Sequence, residues 1–102
     1  MGRERERLET YEQRLKIYER DEGTCRYCKK AVDINSFQVA HLISRSKWCI
    51  KLYGSEVIEH MDNKATTHPG ACNDGVLITF DPVAREKLAQ DIREKISGKG
   101  LF

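Results

Sequence analysis

Apolar residues recur at helical intervals near both ends of the chain and at shorter intervals in its middle. Leu8, Tyr11, Leu15 and Tyr18 stand three or four residues apart, with Glu and Arg at most other positions of residues 3–22. This predicts an amphipathic helix lying on the core by one stripe. Asp21-Glu22-Gly23-Thr24 ends it, glycine being the usual residue just past a helix. Val83, Leu88, Ile92 and Ile96 give a second helix its apolar face. Asp81 caps its free amides, Pro82 suits its first position, and Ser97-Gly98-Lys99-Gly100 stops it. Between the helices, residues 36–43 have the β-branched, alternating character of a short strand with His41 near its end. Residues 48–53 fit a short helix or a strand, and residues 54–67 are turn-rich around a weak Val57-Ile58 signal. Val76-Leu77-Ile78 is too short for periodicity to separate helix from buried strand.

A chain of 102 residues is expected to form one compact unit. We divide it into an N-terminal helix (1–22), a core (23–80) and a C-terminal helix (81–102). Hydrophobic residues at 39% and charged residues at 33% predict a folded chain rather than a disordered one. No stretch approaches the roughly eighteen consecutive apolar residues of a membrane span, and the charged N-terminus lacks a signal peptide's apolar region. The expectation is a cytoplasmic protein without membrane contact. In that reducing compartment four cysteines serve as metal ligands or free thiols rather than disulfides. Net charge is +2, and residues 23–80 carry seven basic against five acidic side chains. So small an excess does not identify a polyanionic partner.

Cysteine spacing narrows the chemistry. Cys25-x2-Cys28 and His68-x3-Cys72 supply four ligands in two close pairs, which is what a closed tetrahedral Zn²⁺ site requires. The 39 residues between the pairs would have their ends pinned together by the metal. The competing reading makes the cysteines small buried hydrophobes and His68 a surface loop residue. Cys49, without a nearby partner, is expected to be a core thiol. A structural zinc would also compensate for the modest core of a central segment this short.

A base at a strand end, an amide on the following loop and a polar ligand at a helix start are the parts of a one-metal phosphodiesterase. His41, Asn63 and Asn73 stand in those places. A neutral imidazole can take a proton from water near pH 7. Mg²⁺ or a similar divalent ion would neutralise charge on the phosphate and on the departing oxygen. Each residue also has a plainer reading: His41 as a hydrogen-bonded core histidine, the asparagines as turn or cap residues, and Arg45 and Lys47 as a solvated face.

The motifs Cys25-Arg26-Tyr27-Cys28, Val39-Ala40-His41-Leu42-Ile43-Ser44-Arg45, Asn63 and His68-Pro69-Gly70-Ala71-Cys72-Asn73 follow one another in an order that resembles the zinc-containing HNH endonucleases. The likeness covers about residues 19–80. It implies that His41 is the general base, that Asn63 braces the loop orienting its imidazole, and that Asn73 binds the catalytic metal. It further implies that Arg45 contacts a phosphate. Many members carry an acidic residue or histidine immediately before the base, where this chain has Ala40; His60 or Asp74 would complete the ligand set.

The fold expected is α+β: a ββα-metal (HNH, or His-Me finger) core with a structural zinc site, flanked by N- and C-terminal helices. The leading function is a metal-dependent DNA endonuclease or nickase. Its partner would be duplex DNA, gripped mainly through phosphates and with little sequence preference. Arg45 and Lys47 are the candidate phosphate contacts. Ala40 supports an alternative in which the scaffold binds DNA without cutting it, and the near-neutral charge supports a zinc-stabilised protein-interaction domain. Monomer and homodimer are both compatible with the sequence.

Overall fold

A computed structural model describes residues 2–98, with side chains from Tyr11 onward. The side chain of Leu8 in the predicted stripe, and Lys99-Gly100 of the predicted C-terminal stop, therefore lie outside what is described.

Helix α1 runs over Gly2–Arg20. Among its described side chains the buried one is Ile17, while Leu15 and Tyr18 are half-buried and Tyr11 is 59% exposed, so over Tyr11–Arg20 the stripe is rotated from the one expected. Tyr18 keeps its predicted inward side, its ring tilted against Phe37 at 4.7 Å and its hydroxyl donating to the Val32 carbonyl. The helix ends in a Schellman arrangement, with the Gly23 amide donating to the Tyr18 carbonyl and the Glu22 amide to that of Glu19. Glu22 (φ 54°), not glycine, takes the first left-handed position and Gly23 (φ 63°) the next. A Cβ on Gly23 would lie 2.9 Å from the Tyr18 hydroxyl oxygen, so both backbone angle and space call for glycine there.

The sheet has two strands, β1 (Gln38–His41) and β2 (Lys64–Thr67), paired antiparallel with Gln38 opposite Thr67 and His41 opposite Lys64. The ladder continues through the Leu42 amide to the Asn63 carbonyl. Residues 42–63 connect the strands through α2 (Lys47–Tyr53), α3 (Ser55–Ile58) and a 3-10 turn at Met61–Asn63. Strand alternation places Gln38 and Ala40 on one face and Val39 and His41 on the other. Ala40 and Ala65 pack with Leu42 and Val76, just beyond α4 (Ala71–Gly75). On the opposite face α1 closes the sheet: the Thr66 hydroxyl donates to the Ile17 carbonyl and the Lys64 ammonium to Gln13.

Helix α5 (Pro82–Ile96) begins as the sequence predicts, the Asp81 carboxylate accepting the Ala84 amide and proline at the first turn. Its buried face runs through Leu88, Ala89 and Ile92 and packs on Ile43, Cys49, Tyr53, Val57 and Ile58. Val83 is 81% exposed, a correction to the predicted face: nine residues before Ile92, it falls on the opposite side of a helix turning 3.6 residues per turn. Ile96 is on the correct side but near the helix end, half-exposed beside Tyr53 and Val57. No described helix is long and apolar enough to cross a membrane.

Candidate functional site

Two short motifs build the first cluster. Cys25 and Cys28 sit in a knuckle closed by hydrogen bonds from the Cys25 amide to the Lys30 carbonyl and from the Lys29 amide to the Cys25 carbonyl, with Lys29 left-handed (φ 68°). The Arg26 amide donates to the Thr66 carbonyl and anchors the knuckle on β2. His68 directly follows β2, and Cys72 lies in the first turn of α4. The ligand atoms of Cys25, Cys28, His68 and Cys72 all lie within 4.8 Å of one another. His68 turns Nδ1 to the Cys28 sulfur (3.4 Å), and its Nε2 donates to the Ala31 carbonyl (3.1 Å). That second bond fixes the ring's tautomer and leaves Nδ1 as the ligating nitrogen.

The thiols fit a cation. Burial raises the Cys25 thiol, but hydrogen bonds from the Cys28 and His68 amides and the His68 ring outweigh it and bring it down to about 6. At Cys72, burial and the facing sulfurs of Cys25 and Cys28 push the thiol up to about 11. Three sulfurs this close resist ionising together unless a metal offsets their charge. Three sulfurs and one imidazole nitrogen are a donor set suited to Zn²⁺, so these residues can hold a metal ion. Cys49 is fully buried in the main core, outside this cluster.

A second cluster forms at the end of β1. The His41 ring is 20% exposed and its Nε2 lies 3.3 Å from the Glu59 carboxylate. The same carboxylate is 2.9 Å from the Arg45 guanidinium and 3.1 Å from the Lys64 ammonium. A carboxylate only accepts, so Nε2 carries a proton toward it. Behind this cluster stands Asn63, completely buried. Its oxygen accepts the Ile43 amide (2.8 Å), and its nitrogen donates to the carbonyls of Ile43 (3.0 Å) and Ile58 (2.9 Å). The side chain thus ties the backbone just after His41 to the end of α3, one residue before Glu59.

Asn73 is placed elsewhere. Its amide donates to the Gln38 side chain at the start of β1, on the face opposite His41 and three residues, or about 10 Å, back along the strand. His60 accepts the Asp62 amide on Nδ1 and caps the 3-10 turn. Asp74 is exposed on α4, and Lys47 is exposed at the start of α2. Ala40 points into the apolar cluster. Among the described residues, Cys25, Cys28, His68 and Cys72 form the one group of three or more His, Cys, Asp or Glu side chains close enough to share an ion. The surroundings of His41 do not fit the Mg²⁺ centre expected from the sequence, because a divalent cation there would face Lys64 and Arg45 with Glu59 as the one contacting carboxylate.

Glu59 and Lys64 escaped the sequence reading. Neither belongs to a spacing motif, and they meet His41 only because β2 pairs with β1. Lys64 is a lysine 7% exposed, a state that requires partners for its charge.

These environments set the pH response. Burial lowers His41 from its ordinary 6.5, the Glu59 carboxylate opposes that, and the Lys64 and Arg45 cations add to the lowering; the net shift is downward. The unfolded chain then binds a proton that the folded chain resists, so stability falls as pH drops below 6.5 and levels off below the folded value. At Glu59, burial raises the carboxyl but Lys64 and His41 outweigh it, holding it below its ordinary 4.5, so a further loss follows as pH falls below 4.5. Urea denaturation at pH 7.0 and about pH 5.5, above the Glu59 range, is expected to show a smaller drop for His41→Gln than for wild type. Equal drops would contradict the effect of burial on this ring.

No protein-family model, curated protein or solved structure matches the chain.

Proposed function

We propose that the chain is a zinc-stapled nuclease domain of the HNH type that hydrolyses phosphodiester bonds of duplex DNA, with His41 as general base. The observation that carries this reading is a half-buried histidine at a strand end, held below its ordinary pKa and flanked by two cations. The order β1, β2, α4, with metal-binding side chains at the end of β2 and the start of α4, supports it.

In this reading the neutral imidazole takes a proton from water as the oxygen attacks phosphorus. The bond to the bridging oxygen breaks, and that oxygen leaves as an alkoxide that takes a proton from solvent. Lys64 and Arg45 stabilise the charge that builds on the phosphoryl oxygens. Asn63 keeps His41 in register by holding the backbone on which it is mounted. Zn²⁺ on Cys25, Cys28, His68 and Cys72 would have a structural part, its four positions being filled by protein ligands. Because the surroundings of His41 do not fit a divalent ion, the charge on the phosphoryl oxygens falls to Lys64 and Arg45 in this reading.

The test is nicking of supercoiled plasmid by the full chain with Mg²⁺, Mn²⁺ or Ni²⁺, or with EDTA. His41→Ala is expected to lower the rate about 10²- to 10⁴-fold, the usual contribution of a general base. Nicking that survives His41→Ala, or is missing with every metal, overturns the enzyme reading. A second reading, DNA binding without cleavage, draws on Ala40 at the usual ligand position and on Asn73 engaged by Gln38. DNA retention at low salt without nicking would select it.

A further inference from the structure

His41, Arg45 and Lys64 come from three different segments and converge on a single carboxylate, that of Glu59. Two full positive charges face one negative one, so the cluster retains an excess of positive charge. The members differ in how firmly they are held. The Lys64 side chain is 9% exposed and also bonded to Gln13, and His41 is on the strand, whereas the Glu59 side chain is 41% exposed. Lys64 and His41 are fixed, whereas Glu59 and the 67%-exposed Arg45 side chain lie at the surface and can move.

We infer that Lys64 and Arg45 form a phosphate-binding site beside His41, and that Glu59 is its built-in occupant, a carboxylate plug that incoming phosphate displaces. A carboxylate and a phosphodiester both carry one negative charge and accept from a guanidinium and an ammonium in similar ways. While the plug is seated, the proton on Nε2 points at Glu59, so this nitrogen cannot accept another. When Glu59 swings to solvent, the cations are free to hold a phosphoryl group, and the neutral ring can pass its Nε2 proton to solvent while taking one on Nδ1, which leaves Nε2 with the lone pair that takes a proton from water. The identity of the anion as a nucleic-acid phosphate rests on the nuclease reading; the anion site itself does not.

The experiment uses zinc-loaded full chain, with NMR shift titrations of inorganic phosphate and of a short DNA duplex. Glu59→Gln keeps a carbonyl for Lys64 but removes the competing charge. It is expected to bind inorganic phosphate about tenfold more tightly than wild type, the order expected for removing a like charge a few ångströms away. Affinity for the duplex should rise in parallel. Adding Arg45→Gln, an exposed change that leaves the core intact, should return phosphate binding to the wild-type level or below. Lys64→Met should do the same wherever its spectrum shows it folded.

Equal or weaker phosphate binding by a folded Glu59→Gln protein overturns the plug and makes Glu59 a positioning partner of His41. Retained tight binding after Arg45→Gln overturns the site. A gain for phosphate without a gain for the duplex upholds the anion site and removes the nucleic-acid reading, so the two failures are separable.

Discussion

Cys28→Ser is expected to abolish stoichiometric zinc binding and the cooperative thermal transition of this chain. The four candidate ligands belong to two local motifs separated by 39 residues, and beside them the knuckle is held to β2 by the Arg26 amide on the Thr66 carbonyl. Its own apolar cluster comprises Cys25, Val32 and Phe37, with half-buried Tyr18, Cys28, Val39 and Cys72 around it, so three of its seven members are themselves candidate ligands. Zinc bound by such a set contributes about 10–16 kcal/mol at neutral pH. The whole stability of a small domain is about 5–15 kcal/mol. Losing one ligand is therefore on the scale of the entire fold, and a chelator should act in the same direction. Cys49→Ser is the control: it changes a buried thiol in the main core, should cost about 1–3 kcal/mol, and should leave one zinc per chain. A Cys28→Ser protein that melts like wild type with its zinc retained would remove the staple from the account.

Asn63→Ala is expected to cost at least about 3 kcal/mol, because three buried backbone groups lose their partner at once. For a domain of this size that corresponds to a fall in melting temperature of roughly 12 °C or more. No water can take over easily, since Asn63 is fully buried and the groups it serves lie under the main core. The loss should also be local: amide exchange at Ile43 should accelerate more than at Ile92, whose bond is internal to α5. Asn73→Ala offers the comparison. Its amide makes a single exposed contact with Gln38, so its removal should cost less than about 1 kcal/mol. Equal melting temperatures for the two variants would show that the Asn63 bonds contribute nothing net.

The proposals for His41 and the phosphate site depend on these two results in a definite order. Asn63 fixes the chain between Ile43 and Ile58, and Glu59 follows Ile58 directly, so the plug and the base share one scaffold. A change at Asn63 is predicted to disturb both, whereas changes at Glu59 or Arg45 act on the surface cluster alone.

How much of this was legible beforehand varied with sequence distance. The Cys25/Cys28 and His68/Cys72 pairs could be read because a spacing of two or three residues itself sets where ligands point. The same holds for the Asp81-Pro82 start of α5. Three of the four residues of its predicted face lie on the inner side, Leu88 and Ile92 packed and Ile96 half-exposed at the end, and Val83 does not. The Gly23 stop was visible, although Glu22 rather than Gly23 takes the first left-handed position.

Strand β2 had no readable signal. Lys64-Ala65-Thr66-Thr67 lacks alternation because all four residues are buried, between α1 on one side and the Val76 cluster on the other. Its pairing with β1 across residues 42–63 decided the rest: it set Lys64 opposite His41, brought Glu59 between them, and left Asn73 at the far end of β1 on the other face. Local spacing thus determined which Cys and His side chains cluster, the end of α1 and the start of α5, since a few bonds of covalent geometry constrain each. The company kept by His41 was decided by tertiary structure, because strand register and face alternation are set by which apolar surfaces meet, and residues far apart in sequence meet only after the chain has folded.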